Sequence, residues 1–61
     1  MRIYRLRDVC RATGLSKSTI YRMAADGKFP KPFKITDRAS GWDAEEVERW
    51  IAERIAAREA A

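Results

Sequence analysis

The sequence predicts a mainly α-helical domain with one small β-hairpin, arranged as three helices and a wing. Three observations favour this fold class: a Gly-Leu-Ser turn at 14–16 between two short helical segments, an alternating stretch at 33–42 after two prolines, and an amphipathic segment at 43–59. Sixty-one residues are enough for one small hydrophobic core. We therefore expect a single winged helix-turn-helix over 1–61, with the helix-turn-helix at 7–26, the wing at 33–42 and the C-terminal helix at 43–59.

The first two helices are delimited by small residues that suit helix ends. The first helix covers 7–13 and is stopped by Gly14, because glycine adopts the left-handed conformation at no steric cost. Ser16 is a good N-cap for the second helix, since its hydroxyl can accept a hydrogen bond from a free amide of the first turn. This helix is expected to run to about Asp26, with Gly27 in the position where helices commonly stop.

The segments on either side of these helices are predicted to be extended. Residues 1–6 alternate roughly between apolar and polar, which predicts an extended arm or a short strand. Two prolines keep 28–32 out of a helix. Residues 33–36 alternate, 37–38 are the expected bend and 39–42 return, so this stretch has the size of a wing.

The last helix and the apolar residues of the other elements define the expected core. Asp43 is expected to cap this helix, with Glu46 three positions later in a variant of the capping box. Trp42 and Trp50 should contribute most, since each can bury roughly 150–250 Å². The predicted core consists of Ile3, Leu6, Val9, Cys10, Leu15, Ile20, Met23, Ala24, Phe29, Phe33, Ile35, Trp42, Val47, Trp50, Ile51 and Ile55.

The charge of the chain is unevenly distributed. Residues 1–38 contain ten Lys and Arg against three Asp, a net charge of +7. Residues 39–61 contain three Arg against six acidic residues, a net charge of −3, which together give the overall +4. The first two-thirds of the chain therefore suits a polyanionic partner, whereas the last third is typical of a solvated structural helix.

The composition argues against several other classes of protein. A single cysteine cannot form an intrachain disulfide, so a reducing cytoplasm is the expected location. The chain has no histidine, no metal-ligand spacing and no nucleotide-binding loop, so we expect no enzyme activity, cofactor or metal. No apolar run approaches the roughly 20 residues that span a bilayer, so no membrane association is expected.

The start of the second helix is more polar than packing requires. Short hydroxyls, a phenol and two cations surround the single apolar anchor Ile20. These side chains suit a helix whose N-terminal end enters a DNA major groove and reaches base edges and phosphates. The candidate DNA-binding residues are Ser16, Lys17, Ser18, Thr19, Tyr21 and Arg22 in the turn and second helix, and Lys31, Lys34 and Arg38 on the wing and its approach.

These candidates differ in the contact that each can make. Lys17 and Arg22 can donate to phosphate or guanine, and Tyr21 can donate to phosphate or pack on a sugar. Ser16 serves first as the cap, and Thr19 can equally bond back to its own helix. A solvated polar face is the alternative interpretation of the whole set.

The remaining basic residues divide between the wing and general electrostatics. Arg38 at the wing tip suits a narrow minor groove. A long-range attraction for DNA, without a specific contact, is expected of Arg2, Arg5, Arg7 and Lys28.

Five segments of the chain together resemble a known family. They are RLRDV at 5–9, TGLSKSTIYR at 13–22, GKFPKP at 27–32, GW at 41–42 and EVERWI at 46–51. In this order and spacing the chain resembles the AlpA-type phage and prophage regulators. With the small excisionases, these belong to the wider MerR-like group of winged helices.

The resemblance implies a DNA-binding regulator. It implies that the second helix reads the major groove and that the wing contacts the backbone or the minor groove. The turn Thr36-Asp37-Arg38 departs from the family, which often has a glycine before the arginine. An aspartate there would be repelled by phosphates unless it points away from them.

Three functional hypotheses follow, with double-stranded DNA as the partner in the first two. The leading one is a sequence-specific transcriptional regulator of phage or prophage type. The second is an excisionase, which bends DNA and directs an integrase. The third, of a different class, is a protein-interaction module that uses Trp50, Ile51 and Ile55 of the last helix. Because a small winged helix makes few contacts, cooperative self-association on repeated DNA sites is also expected.

Overall fold

The fold consists of three helices and a three-stranded antiparallel sheet, which confirms the predicted fold class. The computed structural model describes residues 2–60, so Met1 of the predicted N-terminal arm lies outside the described residues. The elements in chain order are β1 (Ile3–Tyr4), α1 (Leu6–Thr13), α2 (Lys17–Ala25), β2 (Phe33–Thr36), β3 (Ala39–Asp43) and α3 (Ala44–Ala60).

The turn between α1 and α2 is fixed by local hydrogen bonds. Gly14 has φ +75° and its amide donates to the carbonyl of Cys10 at 2.8 Å, which ends α1 as predicted. The Thr13 hydroxyl donates to the carbonyl of Val9 at 2.8 Å and accepts from the amide of Leu15 at 3.2 Å. These local hydrogen bonds therefore fix the direction in which the chain enters α2.

The end of α2 is a Schellman motif centred on Gly27. The Lys28 amide donates to the carbonyl of Met23 at 2.8 Å, and the Gly27 amide donates to the carbonyl of Ala24 at 3.2 Å. Gly27 has φ +76°, a conformation that favours glycine. The expected stop at this glycine is confirmed, and the chain leaves α2 toward the prolines.

The sheet has the strand order β1-β3-β2. Tyr4 of β1 faces Trp42 of β3, so the N-terminal arm is a strand that pairs with the hairpin. Thr36 and Ala39 are Cα partners across the two-residue turn, and the register is irregular between Lys34 and Thr36. The hairpin is thus the middle and one edge of the sheet, and the N-terminal arm forms the other edge.

The core lies between one face of the sheet and the helices. The fully or nearly fully buried apolar residues are Val9, Ile20, Ala24, Phe29, Trp42, Ala44 and Val47. Around them pack the partly buried side chains of Tyr4, Leu6, Cys10, Leu15, Met23, Trp50 and Ile51. Most of the predicted core is therefore confirmed, while Ala44 and Tyr4 are additions to it.

Three predicted core residues are exposed because they lie on the outer face of the sheet. Residues paired across strands, or two apart along a strand, point to the same face. By this rule Ile3, Phe33 and Ile35 share a face with Gly41, opposite the face that carries Trp42. A Cβ on Gly41 would lie 2.8 Å from Ile3 Cγ2 and 2.9 Å from Ile35 Cδ1, so any larger residue there would force these two side chains to shift.

A fourth predicted core residue, Ile55, is 54% exposed. The first turns of α3 pack through Val47, Trp50 and Ile51, whereas every residue from 52 to 59 is exposed. The apolar stripe of α3 extends beyond the part of the helix that packs against the core. Its last residue, Ile55, is therefore exposed.

A polar cluster ties β1 to α3. The Tyr4 hydroxyl donates to Glu48 Oε2 at 2.6 Å, and Arg2 Nη2 forms an ion pair with Glu48 Oε1 at 3.0 Å. The hydrogen bond to Glu48 raises the pKa of the Tyr4 phenol above its ordinary value. The hydrogen bond from Tyr4, and then the charge of Arg2, lower the pKa of the Glu48 carboxyl.

The lowered pKa of Glu48 predicts a pH-dependent contribution to stability. A carboxyl whose pKa is lower in the folded state stabilises the fold above its ordinary pKa of 4.5, and the contribution disappears as the pH falls through the lowered value. We expect the melting temperature of the native protein to exceed that of Glu48→Gln at about pH 7, and the difference to shrink as the pH is lowered below 4.5. Glu53→Gln, on the exposed part of α3, is the control and should follow the native protein throughout. A difference between native and Glu48→Gln that does not change with pH would contradict this.

Candidate nucleic-acid interface

The first turn of α2 is organised by two hydroxyl groups. The Thr19 amide donates to Ser16 Oγ at 3.3 Å, and the hydroxyls of Ser16 and Thr19 lie 2.9 Å apart. Ser16 is therefore the N-cap of α2, as predicted. Because both hydroxyls are occupied within the protein, their principal role in this structure is to fix the start of the helix.

The remaining candidates on α2 are exposed around a buried anchor. Ile20 is fully buried in the core. By contrast, Lys17, Ser18, Tyr21 and Arg22 are all exposed. Among the described residues 2–60, the only ion pair is the one between Arg2 and Glu48, so the two α2 cations carry uncompensated charge. The helix thus presents a polar, cationic surface on the side opposite its packing contact.

An aromatic pair connects the exposed side of α2 to the sheet. The ring centroids of Tyr21 and of Trp42 in β3 are 6.1 Å apart, and the interplanar angle is 47°. Trp42 is in turn fixed by a hydrogen bond from its Nε1 to the carbonyl of Pro30 at 2.8 Å. Since Tyr21 is still 48% exposed, its phenol is presented at the surface from a rigid base.

The wing presents its cations at an exposed hairpin. Lys31, Lys34 and Arg38 are all exposed, and Arg38 is at the tip, where its amide donates to Thr36 Oγ1 at 3.2 Å. Within the described part of the chain, only glycines have positive φ, so Asp37 occupies the turn without needing the left-handed conformation. The turn therefore forms without the glycine that the resemblance led us to expect before Arg38.

The other basic residues of the first two-thirds of the chain are not equivalent. Arg2, predicted to act through general electrostatics, is held by Glu48. Arg7 and Lys28 are exposed, as that prediction requires. Arg5 is different, because its Nε donates to the carbonyl of Ser40 in β3 at 3.1 Å. No pattern in the sequence predicts this contact, because the two residues are 35 positions apart.

The interaction-module hypothesis concerns a second surface, an open groove lined by Met23, Phe29, Trp50 and Arg54. Trp50 Nε1 donates to the carbonyl of Lys28 at 2.9 Å. The ring centroids of Trp50 and Phe29 are 4.9 Å apart in an edge-to-face contact. The guanidinium of Arg54 lies over the Trp50 ring, with its Cζ 5.3 Å from the ring centroid. Trp50 is therefore engaged on several sides by the protein's own groups.

Three further observations concern the described residues 2–60. No group of three or more His, Cys, Asp or Glu side chains is placed to hold a metal ion in that range. Cys10 is a free, half-buried thiol. No helix within the same residues is long and apolar enough to cross a membrane.

Two comparisons place the chain among known proteins. The profile of the family described as prophage CP4-57 regulatory protein (AlpA) matches residues 2–55. An uncharacterized protein, ORF88 of Enterobacteria phage P4, is 39% identical over 57 residues, which are 93% of this chain. The chain spans 65% of the length of that relative. The matched region includes both helices of the turn, the wing and most of α3, and the chain belongs to the AlpA family of prophage regulatory proteins.

Proposed function

We propose that this protein is a sequence-specific DNA-binding transcriptional regulator of phage or prophage type. In this proposal α2 lies in the major groove and the wing contacts the backbone or the minor groove. The observation that carries it is the start of α2: a capped, rigid turn followed by exposed Lys17, Ser18, Tyr21 and Arg22 over the buried anchor Ile20.

The charge of the molecule supports the same partner. All ten Lys and Arg in residues 1–38 are exposed, and all except Arg2 are outside any ion pair among the described residues 2–60. A surface of this kind attracts DNA and releases counterions when it binds. On this proposal the protein acts in the cytoplasm and, because its contact surface is small, several copies bind cooperatively to repeated sites.

The first experiment is footprinting of the protein on the DNA that flanks its own gene, followed by titration of the protected duplex at several salt concentrations. We expect the logarithm of the binding constant to fall linearly with the logarithm of salt concentration, with a slope of about −0.9 per phosphate neutralised. Binding that does not depend on salt, or no binding at low salt, would overturn the proposal. If binding strongly bends a recombination site and leaves promoter output unchanged, the excisionase role is the correct one.

The same titration separates the residues that read bases from those that hold the backbone. Ser18→Ala removes a hydroxyl from the exposed first turn of α2, so it should lower the preference for the footprinted duplex over a scrambled one by about fivefold and leave the salt slope unchanged. Arg38→Ala should weaken binding to both duplexes and reduce the slope by about one contact. If Ser18→Ala leaves the preference intact and Arg38→Ala abolishes it, the wing is the reader and our assignment of α2 is wrong.

A further inference from the structure

Arg5 is held in place at both its backbone and its side chain. It lies between β1 and α1, where its amide donates to Asp8 Oδ2 at 2.9 Å. Its Nε donates to the carbonyl of Ser40 in β3 at 3.1 Å. One of the five N–H groups of the guanidinium is thus used to anchor it, and the four on the two Nη atoms remain.

The anchoring point is at the base of the wing. Ser40 is the Cα partner of Lys34 in β2, and the strand order β1-β3-β2 puts β1 on the opposite side of β3. Arg5, which follows β1, and Lys34 therefore flank Ser40 from its two sides. Both residues are exposed, so two cations stand at the same level of the sheet, below the tip that carries Arg38.

The charge of Arg5 is not neutralised within the described part of the chain, residues 2–60, where the single ion pair belongs to Arg2 and Glu48. Because the Ser40 contact uses only Nε, the two Nη atoms of exposed Arg5 are left to donate, and their fork matches the geometry of a phosphate. Because the side chain is already ordered, less conformational entropy is lost when an anion binds.

We propose that Arg5 is a preorganised phosphate contact at the base of the wing. The inference rests on the proposed DNA-binding function and assigns to Arg5 a specific place in it. Arg5 and Lys34 hold the backbone beside the wing, so the wing is bound at its base as well as at its tip.

Three variants test this on the footprinted duplex and on a scrambled one. Arg5→Ala should weaken binding to both by about tenfold and reduce the magnitude of the salt slope by about 0.9. Arg5→Lys keeps the charge but cannot reproduce the Nε anchor and the fork together, so it should keep the slope and still lose affinity severalfold. Arg7→Ala is the matched control: it removes an exposed arginine two positions away and should lose less than Arg5→Ala.

Melting temperatures of the three variants distinguish a DNA contact from a structural role. If Arg5→Ala lowers the melting temperature but leaves the salt slope as in the native protein, Arg5 only ties α1 to the sheet and the inference is overturned. If Arg5→Ala and Arg7→Ala are indistinguishable in binding, it is also overturned, while the proposed function stands. If the native protein shows no salt-dependent binding of duplex DNA, the proposed function itself fails.

Discussion

Trp42→Ala is expected to leave the protein largely unfolded at room temperature. Trp42 is the largest fully buried side chain and is only 1% exposed. Its removal leaves a cavity between the sheet and the helices, and substitutions of this type cost roughly 3–5 kcal/mol. It also leaves the carbonyl of Pro30 without the 2.8 Å hydrogen bond from Nε1 and removes the support of Tyr21. A chain of 61 residues has a free energy of unfolding of only about 3–9 kcal/mol.

Circular dichroism during urea denaturation measures this loss. Trp50→Ala should cost less than Trp42→Ala, since Trp50 is only partly buried. Ile55→Ala is the control on the exposed part of α3 and should change the free energy of unfolding by no more than about 0.5 kcal/mol. A Trp42→Ala protein that unfolds with the native midpoint would show that the core is not organised around this residue.

Features governed by neighbouring residues could be predicted from the sequence. Gly14, Ser16 and Gly27 end or begin helices because left-handed conformations and hydroxyl caps are local requirements. Features that depend on distant residues could not be predicted in the same way. Whether residues 1–6 form a free arm or a strand depends on the pairing of Tyr4 with Trp42, which only the folded sheet decides.

The exposure of the strand residues illustrates the same limit. Phe33 and Ile35 alternate with polar residues, which predicts one apolar face, but the alternation does not say whether the helices cover that face. In the structure the helices cover the face of Trp42, and the apolar residues of β2 are on the other side.

The candidate interface contains some features that could be predicted from the sequence and others that could not. The exposed cations and Ser18 on α2 follow from the helical period and the position of Ile20, so their placement could be predicted. The contact between Arg5 and Ser40 and the ion pair between Arg2 and Glu48 join residues 35 and 46 positions apart. Arg2 and Arg5 had the same expected role but make different contacts, and the sequence alone does not predict this difference.

Reversal of the two cations on α2 should nearly abolish recognition of DNA without unfolding the protein. Lys17→Glu with Arg22→Glu replaces attraction for DNA by repulsion at the helix proposed to enter the major groove. Loss of each contact costs about 1–3 kcal/mol, so affinity for the footprinted duplex should fall at least about 30-fold. The fold should survive because both side chains are exposed, and the favourable effect of a glutamate at position 17, near the helix N-terminus, offsets the unfavourable effect of one at position 22, in the last turn.

The matched control is Arg49→Glu with Arg58→Glu, which makes the same change in net charge, from +4 to 0, at exposed positions of α3. The most direct measurement is the dissociation constant of the native protein and both double variants on the footprinted duplex at one salt concentration. We predict that the α3 variant binds at least about 30-fold more tightly than the α2 variant. Equal losses in the two would mean that only total charge matters, and would contradict the assignment of α2 as the DNA-reading helix.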